Sequence, residues 1–297
     1  MQTPDCRADF VENKVASGGR GALRVREWQH LWGTRTLIMA VVNVTPDSFS
    51  GDGLTDTNLA VAKAHEQARL GADIIDLGGE STRPGYQIVD SQQEAGRVVP
   101  VVAALRRGSA AVVSVDTTKP LVFREALLAG ADILNSVAPV SDELLAIVGE
   151  FATPMVITHN QEKPVYESGV VDEVLRYLHK HAGRAIAVGI KPEHVILDPG
   201  IGFGKTADDN LAVLAALGRI VSLGFPTLIG TSRKSFIGKI TGQPVDNREF
   251  GTAATVALAI AAGIDIVRVH DVEKTNDVVK ISDAIVRGWR PHNWHTD

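Results

Sequence analysis

Eight times along this chain a short apolar run ends on a side chain able to do chemistry. In order, these ends carry Asn43, Asp76 followed by Glu80, Asp116, Asn135, His159, Asp198, Ser232 with Lys234, and Arg268 with His270. An ordinary structural connection needs only glycine, serine or asparagine at such places to turn the chain. Asp116, Asn135 and Asp198 are acceptors from three separate runs, and Lys234 is a cation from a fourth. Such a set suits a flat heterocycle presenting an amine and ring N–H groups along one edge. Arg268 and His270 stand two apart, so in a strand they share one face. Arginine holds phosphate through paired hydrogen bonds. Asn43 offers an amide oxygen, and Mg²⁺ takes few protein ligands when water and substrate phosphates supply the others. Plainer roles also fit single positions. Asp116 precedes Thr117-Thr118-Lys119-Pro120, where a helix starts, and Asp198 precedes the turn signal Pro199-Gly200.

The elements that must position these side chains follow from the pattern. The runs Leu37–Asn43, Asp73–Gly79, Val112–Thr117, Asp132–Val137, Pro154–His159, His194–Pro199, Pro226–Thr231 and Asp265–His270 read as fully buried strands. Helical stretches such as Thr57–Leu70, Ser91–Arg106, Pro120–Ala129, Val170–Val188, Asp208–Leu223, Glu249–Ala262 and Val272–Val286 lie between or after them. Eight strand–helix units with no second-domain break predict a closed (β/α)8 TIM barrel rather than a doubly wound open sheet. The barrel should occupy residues 36–288, after an N-terminal extension over 1–35 and before a tail over 289–297. Around Leu23–Trp32 the extension reads as a short segment that could plug the barrel. Gly71-Ala72-Asp73, Gly130-Ala131-Asp132 and Gly263-Ile264-Asp265 each join a helix to a strand, placing three aspartates on the N-terminal rim, where residues serve stability. Closure sets the first strand beside the eighth, so Asn43 joins the phosphate-type cluster. Loops after strands seven and eight are a common phosphate site of this fold.

Loops and composition narrow the choice. Residues 45–53 and 81–85 are glycine-containing loops carrying Phe49, Thr82 and Arg83, and they read as lids over a substrate. Pro199–Thr206 (PGIGFGKT) nearly spells a nucleotide P-loop, but its first required glycine is Pro199. It reads instead as a mobile loop whose Phe203 reaches a ligand. His159 and Asn160 suit loop orientation as well as chemistry. The two terminal histidines of HNWH lack further metal ligands at suitable spacing. One cysteine, Cys6, excludes a disulfide scaffold, and Asp5, Arg7 and Asp9 around it leave no signal-peptide core. No run of 18 apolar residues occurs, so no membrane span and a cytoplasmic location are expected. That location also leaves the Asn43-Val44-Thr45 pattern unglycosylated. A net charge of −5 without a basic stretch argues against nucleic acid.

Taken in order, NVTPDSFS (43–50), GGESTRPG (78–85), SVDTTKP (114–120), ILNS (133–136), LDPGIGFGK (197–205), GTSRKSFIG (230–238) and RVHDV (268–272) resemble the dihydropteroate synthase family of pterin-binding barrels. Corrinoid-linked methyltransferases share the pterin site, but STRPG and SRKS resemble the synthases. The resemblance implies condensation of 6-hydroxymethyl-7,8-dihydropterin pyrophosphate with p-aminobenzoate, releasing pyrophosphate. It implies that Asp116, Asn135, Asp198 and Lys234 hold the pterin, that Asn43 ligates Mg²⁺, and that Asn43, Arg268 and His270 meet the pyrophosphate. Thr82, Arg83, Pro84, Phe203 and Ser232 would form the p-aminobenzoate pocket, where sulfonamides compete. Asn43, Thr82, Arg83, Lys234, Arg268 and His270 are the catalytic set so implied, and a homodimer is expected. Ser136, where many relatives carry Asp, residues 158–164 and Gly51-Asp52-Gly53 depart from the usual pattern. Two rivals are a pterin-binding paralogue without turnover and a Schiff-base lyase using Lys234.

Overall fold

The computed structural model describes residues 32–45, 56–80, 89–109, 111–291 and 294. The strands are β1 (Leu37–Asn43), β2 (Ile74–Gly78), β3 (Val112–Asp116), β4 (Ile133–Ser136), β5 (Met155–Thr158), β6 (Val195–Asp198), β7 (Leu228–Ile229) and β8 (Ile266–Val269). The helices are α1 (Asp56–Leu70), α2 (Ser91–Gly108), α3 (Pro120–Leu128), α4 (Asp142–Phe151), α5 (Val170–Ala187), α6 (Ala207–Ala215), α7 (Leu217–Val221), α8 (Ser235–Thr241), α9 (Glu249–Ala261) and α10 (Val272–Val286). All strand pairs are parallel, in the order β6-β5-β4-β3-β2-β1-β8-β7. A parallel bridge from Leu197 to Thr227 closes the ring between β6 and β7. The expected TIM barrel is therefore present.

Three local differences have local causes. The seventh strand is two residues long because Pro226 before it has no N–H to donate and Gly230 follows it. The single helix read over 208–223 is two, because Ala216 leaves helical geometry (φ −103°, ψ 12°) just before Gly218. The β4–β5 crossing also carries a helix, α4, started by Ser141, whose hydroxyl accepts from Leu144 N–H.

Alternation along the strands sorts side chains between two compartments. Outward residues such as Ile38, Ile75, Leu77, Val113, Leu134 and Leu197 pack beneath the helices in the main core. Inward residues form a separate apolar floor: Leu37, Met39, Ile74, Val112, Ile133, Val156, Ile196, Leu228 and Ile266, with Trp32 packed among them. Trp32 thus plugs the barrel from below, as the reading of its segment anticipated; residues 23–31 lie outside the described chain.

The N-terminal rim is stitched by the three aspartates. Asp73 accepts from Ile38 N–H of β1 at 2.9 Å and pairs with Arg35. Asp132 accepts from Val113 N–H of β3 at 2.8 Å and pairs with Arg106. Asp265 accepts from Thr227 N–H at 2.8 Å and its hydroxyl at 2.9 Å, just before β7. Each carboxylate answers a donor at the start of the neighbouring strand, which the ladder leaves unpaired. The preceding glycines have φ of 112°, 109° and 98°, and a Cβ on Gly130 would strike the Arg106 side chain at 2.6 Å. Asp265→Ala is expected to lower unfolding free energy by about 2 kcal/mol, the cost of orphaning buried donors. Urea denaturation checks it, and kcat per folded molecule should stay unchanged because this rim faces away from the strand ends.

Candidate active site

Two residues beyond the floor, the inward positions change character in one step. They are Val41, Asp76, Ser114, Asn135, Thr158, Asp198, Gly230 and Arg268. Asp76, Ser114, Asn135, Thr158 and Asp198 are all buried. Arg268, 22% exposed, lies across the barrel with Nε 2.7 Å from Asp76 Oδ2 and Nη2 2.8 Å from Asp116 Oδ2. Asn135 Nδ2 donates to the same Asp76 oxygen at 2.9 Å. Gly230 stands beside it, where a Cβ would lie 3.8 Å from Arg268 Cβ. One guanidinium therefore serves two carboxylates. Against the burial that opposes it, Asp76 and Asp116 hold Arg268 firmly protonated. At Asp116 burial outweighs Arg268, and neighbouring Asp76 adds to it, lifting the carboxyl to about 7.

On the opposite wall, Asp198 Oδ1 accepts from Gly200 N–H at 2.8 Å, and burial raises its pKa despite that bond. The Lys234 ammonium sits 4.2 Å from the centre of the Phe203 ring. Burial, then repulsion from Arg268, lowers its pKa to about 8. Gly202 makes room for it: a Cβ there would lie 3.0 Å from Lys234 Cδ. Nearer the mouth, Ser232 Oγ lies 3.0 Å from His270 Nδ1 and accepts from His270 N–H at 3.3 Å. Arg233, between Ser232 and Lys234, adopts φ 61°, a left-handed turn that sends its neighbours to the mouth. Its carbonyl accepts from Arg248 at 2.9 Å.

The loop after β6 is not the mobile segment read from its glycines. Gly200 and Gly204 have positive φ and press on the chain after β5, where a Cβ would stand 1.9 Å from His159 O and 2.0 Å from Gln161 O. Tyr166 donates to Gly204 O at 2.7 Å, and Lys205 folds back beneath the loop. Here glycine supplies close approach rather than motion. Lys205 also donates toward His159, so neither is displayed as a P-loop would display its lysine.

Comparison with known proteins decides the family. The profile of the family described as pterin binding enzyme matches residues 39–270. The dihydropteroate synthase of Synechocystis sp. is 42% identical over 269 residues, which span 87% of this chain and 92% of that protein. The chain belongs to the dihydropteroate synthase family. The Clostridium difficile synthase solved with pteroic acid matches this fold with a TM-score of 0.84 and 41% identity, covering 86% of this chain and 98% of that one. The Xanthomonas albilineans synthase solved with 4-aminobenzoic acid gives 0.82 and 40%, covering 87% and 95%.

Within this dihydropteroate synthase framework, Asp116, Asn135 and Arg268 meet in one network, Asp198 and Lys234 face it, and Ser232 pairs with His270. Arg268 is committed to two carboxylates rather than standing beside His270 as an unengaged phosphate clamp. Thr82, Arg83 and Pro84, and the first loop beyond Thr45, lie outside the described residues. At their border, Glu80 accepts from Val89 N–H at 3.0 Å and from Lys119 at 2.6 Å. Asn43 is half-buried, paired in register with Gly78, and a Cβ on that glycine would be 3.7 Å from its Oδ1. The described residues contain no cluster of three or more His, Cys, Asp or Glu, so no protein cage for a metal. A single amide oxygen uncovered beside a glycine fits Mg²⁺ that takes its other ligands from phosphate and water.

Two residues of this site carried no assigned role in the sequence reading. Asp76 was visible as the charge in the middle of the apolar stretch IIDLGG, and such a charge must find a partner. Lys205 was visible only as the lysine of PGIGFGKT, a pattern that suggests phosphate and not a tie to the chain after β5.

The Asp116 carboxyl makes stability pH-dependent. Between its ordinary 3.8 and about 7 the folded protein keeps a proton there that the unfolded chain has released, so stability falls as pH rises through that window. Asp116→Asn should flatten this part of the curve in urea denaturation across about pH 4–8. An unaltered slope would mean that Asp116 is charged throughout.

Proposed function

We propose that the enzyme condenses 6-hydroxymethyl-7,8-dihydropterin pyrophosphate with p-aminobenzoate, giving 7,8-dihydropteroate and pyrophosphate. The observation that carries this reading is the charged inner layer at the strand ends, in a chain of this family. Its acceptors and cations suit the two unlike ends of one substrate. Asp116, Asn135 and Asp198 accept from the amino and ring N–H edge of the pterin, and Lys234 donates to its ring acceptors. Ser232, His270 and the Arg268 N–H groups not engaged by Asp76 and Asp116 face the pyrophosphate end. Mg²⁺ bound through Asn43 would neutralise phosphate charge as the leaving group departs.

The reaction is substitution at the pterin methylene. The C–O bond to pyrophosphate breaks and its electron pair leaves on oxygen. The amine nitrogen of p-aminobenzoate then forms the new C–N bond and loses a proton. Fixed cations stabilise the growing negative charge without reorganising, and buried carboxylates favour positive charge developing on the pterin. A neutral aniline is nucleophilic enough unaided, so no nucleophile–base pair is required. These features support a dissociative course. Phe203 and Ser232, with Thr82, Arg83 and Pro84, receive the aromatic amine, and sulfonamides of similar shape compete there.

The protein works as a cytoplasmic homodimer. Among the described residues no helix is long and apolar enough to cross a membrane. On α9, Phe250 and Leu258 are strongly exposed, with Ala254 between them at helical spacing, and Ile281 and Ile285 are exposed on the neighbouring α10. This apolar face supports self-association. Equilibrium sedimentation should give twice the chain mass, and Leu258→Glu should return it to one.

Pyrophosphate release from purified protein with both substrates and Mg²⁺ tests the main reading; pterin bound without release would refute it. Asp198→Ala should lose a charged hydrogen bond of roughly 1.5–3 kcal/mol, about ten- to a hundredfold in pterin affinity by calorimetry. Arg83→Ala should depress condensation more than pterin binding, and normal turnover would remove Arg83 from the site.

A further inference from the structure

The Lys205 ammonium is aimed at the protein itself and bonds neutral groups rather than carboxylates. Its Nζ lies 2.9 Å from His159 Nδ1, 3.0 Å from Gly200 O, 3.1 Å from Phe203 O and 3.4 Å from His159 O. Three N–H donors are thus shared among four acceptors on two connections, the one after β5 and the one after β6. His159 is 3% exposed, and burial followed by repulsion from Lys205 lowers its pKa to about 4, so its ring is neutral and Nδ1 can accept. The ring is itself fixed edge-on against Tyr177, with centroids 5.0 Å apart. Burial brings the Lys205 pKa down to about 8, yet at neutral pH the amine keeps its proton.

The knot has a direction. Lys205 grips the carbonyl of Phe203, whose ring stands against Lys234 Nζ. Asn210 Oδ1 accepts from Gly202 N–H at 2.7 Å and holds the neighbouring turn. Ile201 anchors the start of the segment in the main core, whereas Gly202 and Gly204 flank Phe203 without side chains, so beyond Ile201 the lysine is what ties the backbone at Phe203. Resting on the proposed condensation, we infer that Lys205 is a positioning residue. By tying the Phe203 carbonyl to the end of β5, it sets where the Phe203 ring stands, and with it the affinity for the aromatic amine substrate.

The test is a double-mutant cycle on the purified enzyme with Lys205→Met and Phe203→Leu. Wild-type turnover is the anchor: without it the proposed condensation fails, whatever the variants do. With turnover present, Lys205→Met should raise KM for p-aminobenzoate roughly tenfold, leave the pterin pyrophosphate Kd within about threefold, and lose that effect in the Phe203→Leu background. A lysine that only stabilises the fold would lower Tm and give additive effects on KM. Additivity, or a pterin Kd that moves more than the p-aminobenzoate KM, overturns the assignment. Should Lys205→Met not fold, Lys205→Gln, which keeps two donors, is read in the same cycle. Failure of both to fold would assign Lys205 to stability and overturn the inference as well.

Discussion

A guanidinium held between two carboxylates inside a barrel is the constraint on which this structure depends. Burying one ion costs several kcal/mol unless partners replace its water. Arg268 meets that demand with Asp76 and Asp116, and Asn135 shares the Asp76 oxygen, so the inner wall is already polar before any ligand arrives. The chain supports this cost with the apolar floor beneath and the helix-covered core outside. The two carboxylates are not equivalent. Asp76, fully buried on β2, has Arg268 and Asn135 as partners, whereas Asp116 sits nearer the mouth with a raised pKa. Asp116 is therefore reachable from the mouth without dismantling the pair below it.

The two ends of the barrel divide the labour. At the N-terminal rim, Asp73, Asp132 and Asp265 bond donors of adjacent strands and finish the ring. At the opposite end the same residue types face inward, where they meet cations or one another. Aspartate answers backbone donors at one rim and faces the cavity at the other because of where the ladder ends. A strand start leaves N–H groups to be answered; a strand end leaves room for a ligand.

Much of this was legible in the residues. Buried parallel strands need continuous apolar runs, and those runs marked every strand to within two residues at either end. The ends also listed the site, because closure brings residues far apart in sequence to one mouth. What stayed hidden was pairing. Nothing local says that Arg268 belongs with Asp76, 192 positions away, rather than with a phosphate. The glycine loop misled for a similar reason. Glycine permits both movement and close contact, and only the opposing carbonyls of His159 and Gln161 select the second.

Trp32 has one more effect. Its indole completes an interior that the inward side chains of all eight strands already fill, so the base of the barrel is closed to passage. Whatever sits against the charged layer must be seated before a guest nearer the rim and must depart after it. A molecule whose inner end rests on that layer has to back out whole. A packed floor thus imposes a queue on molecules it never touches.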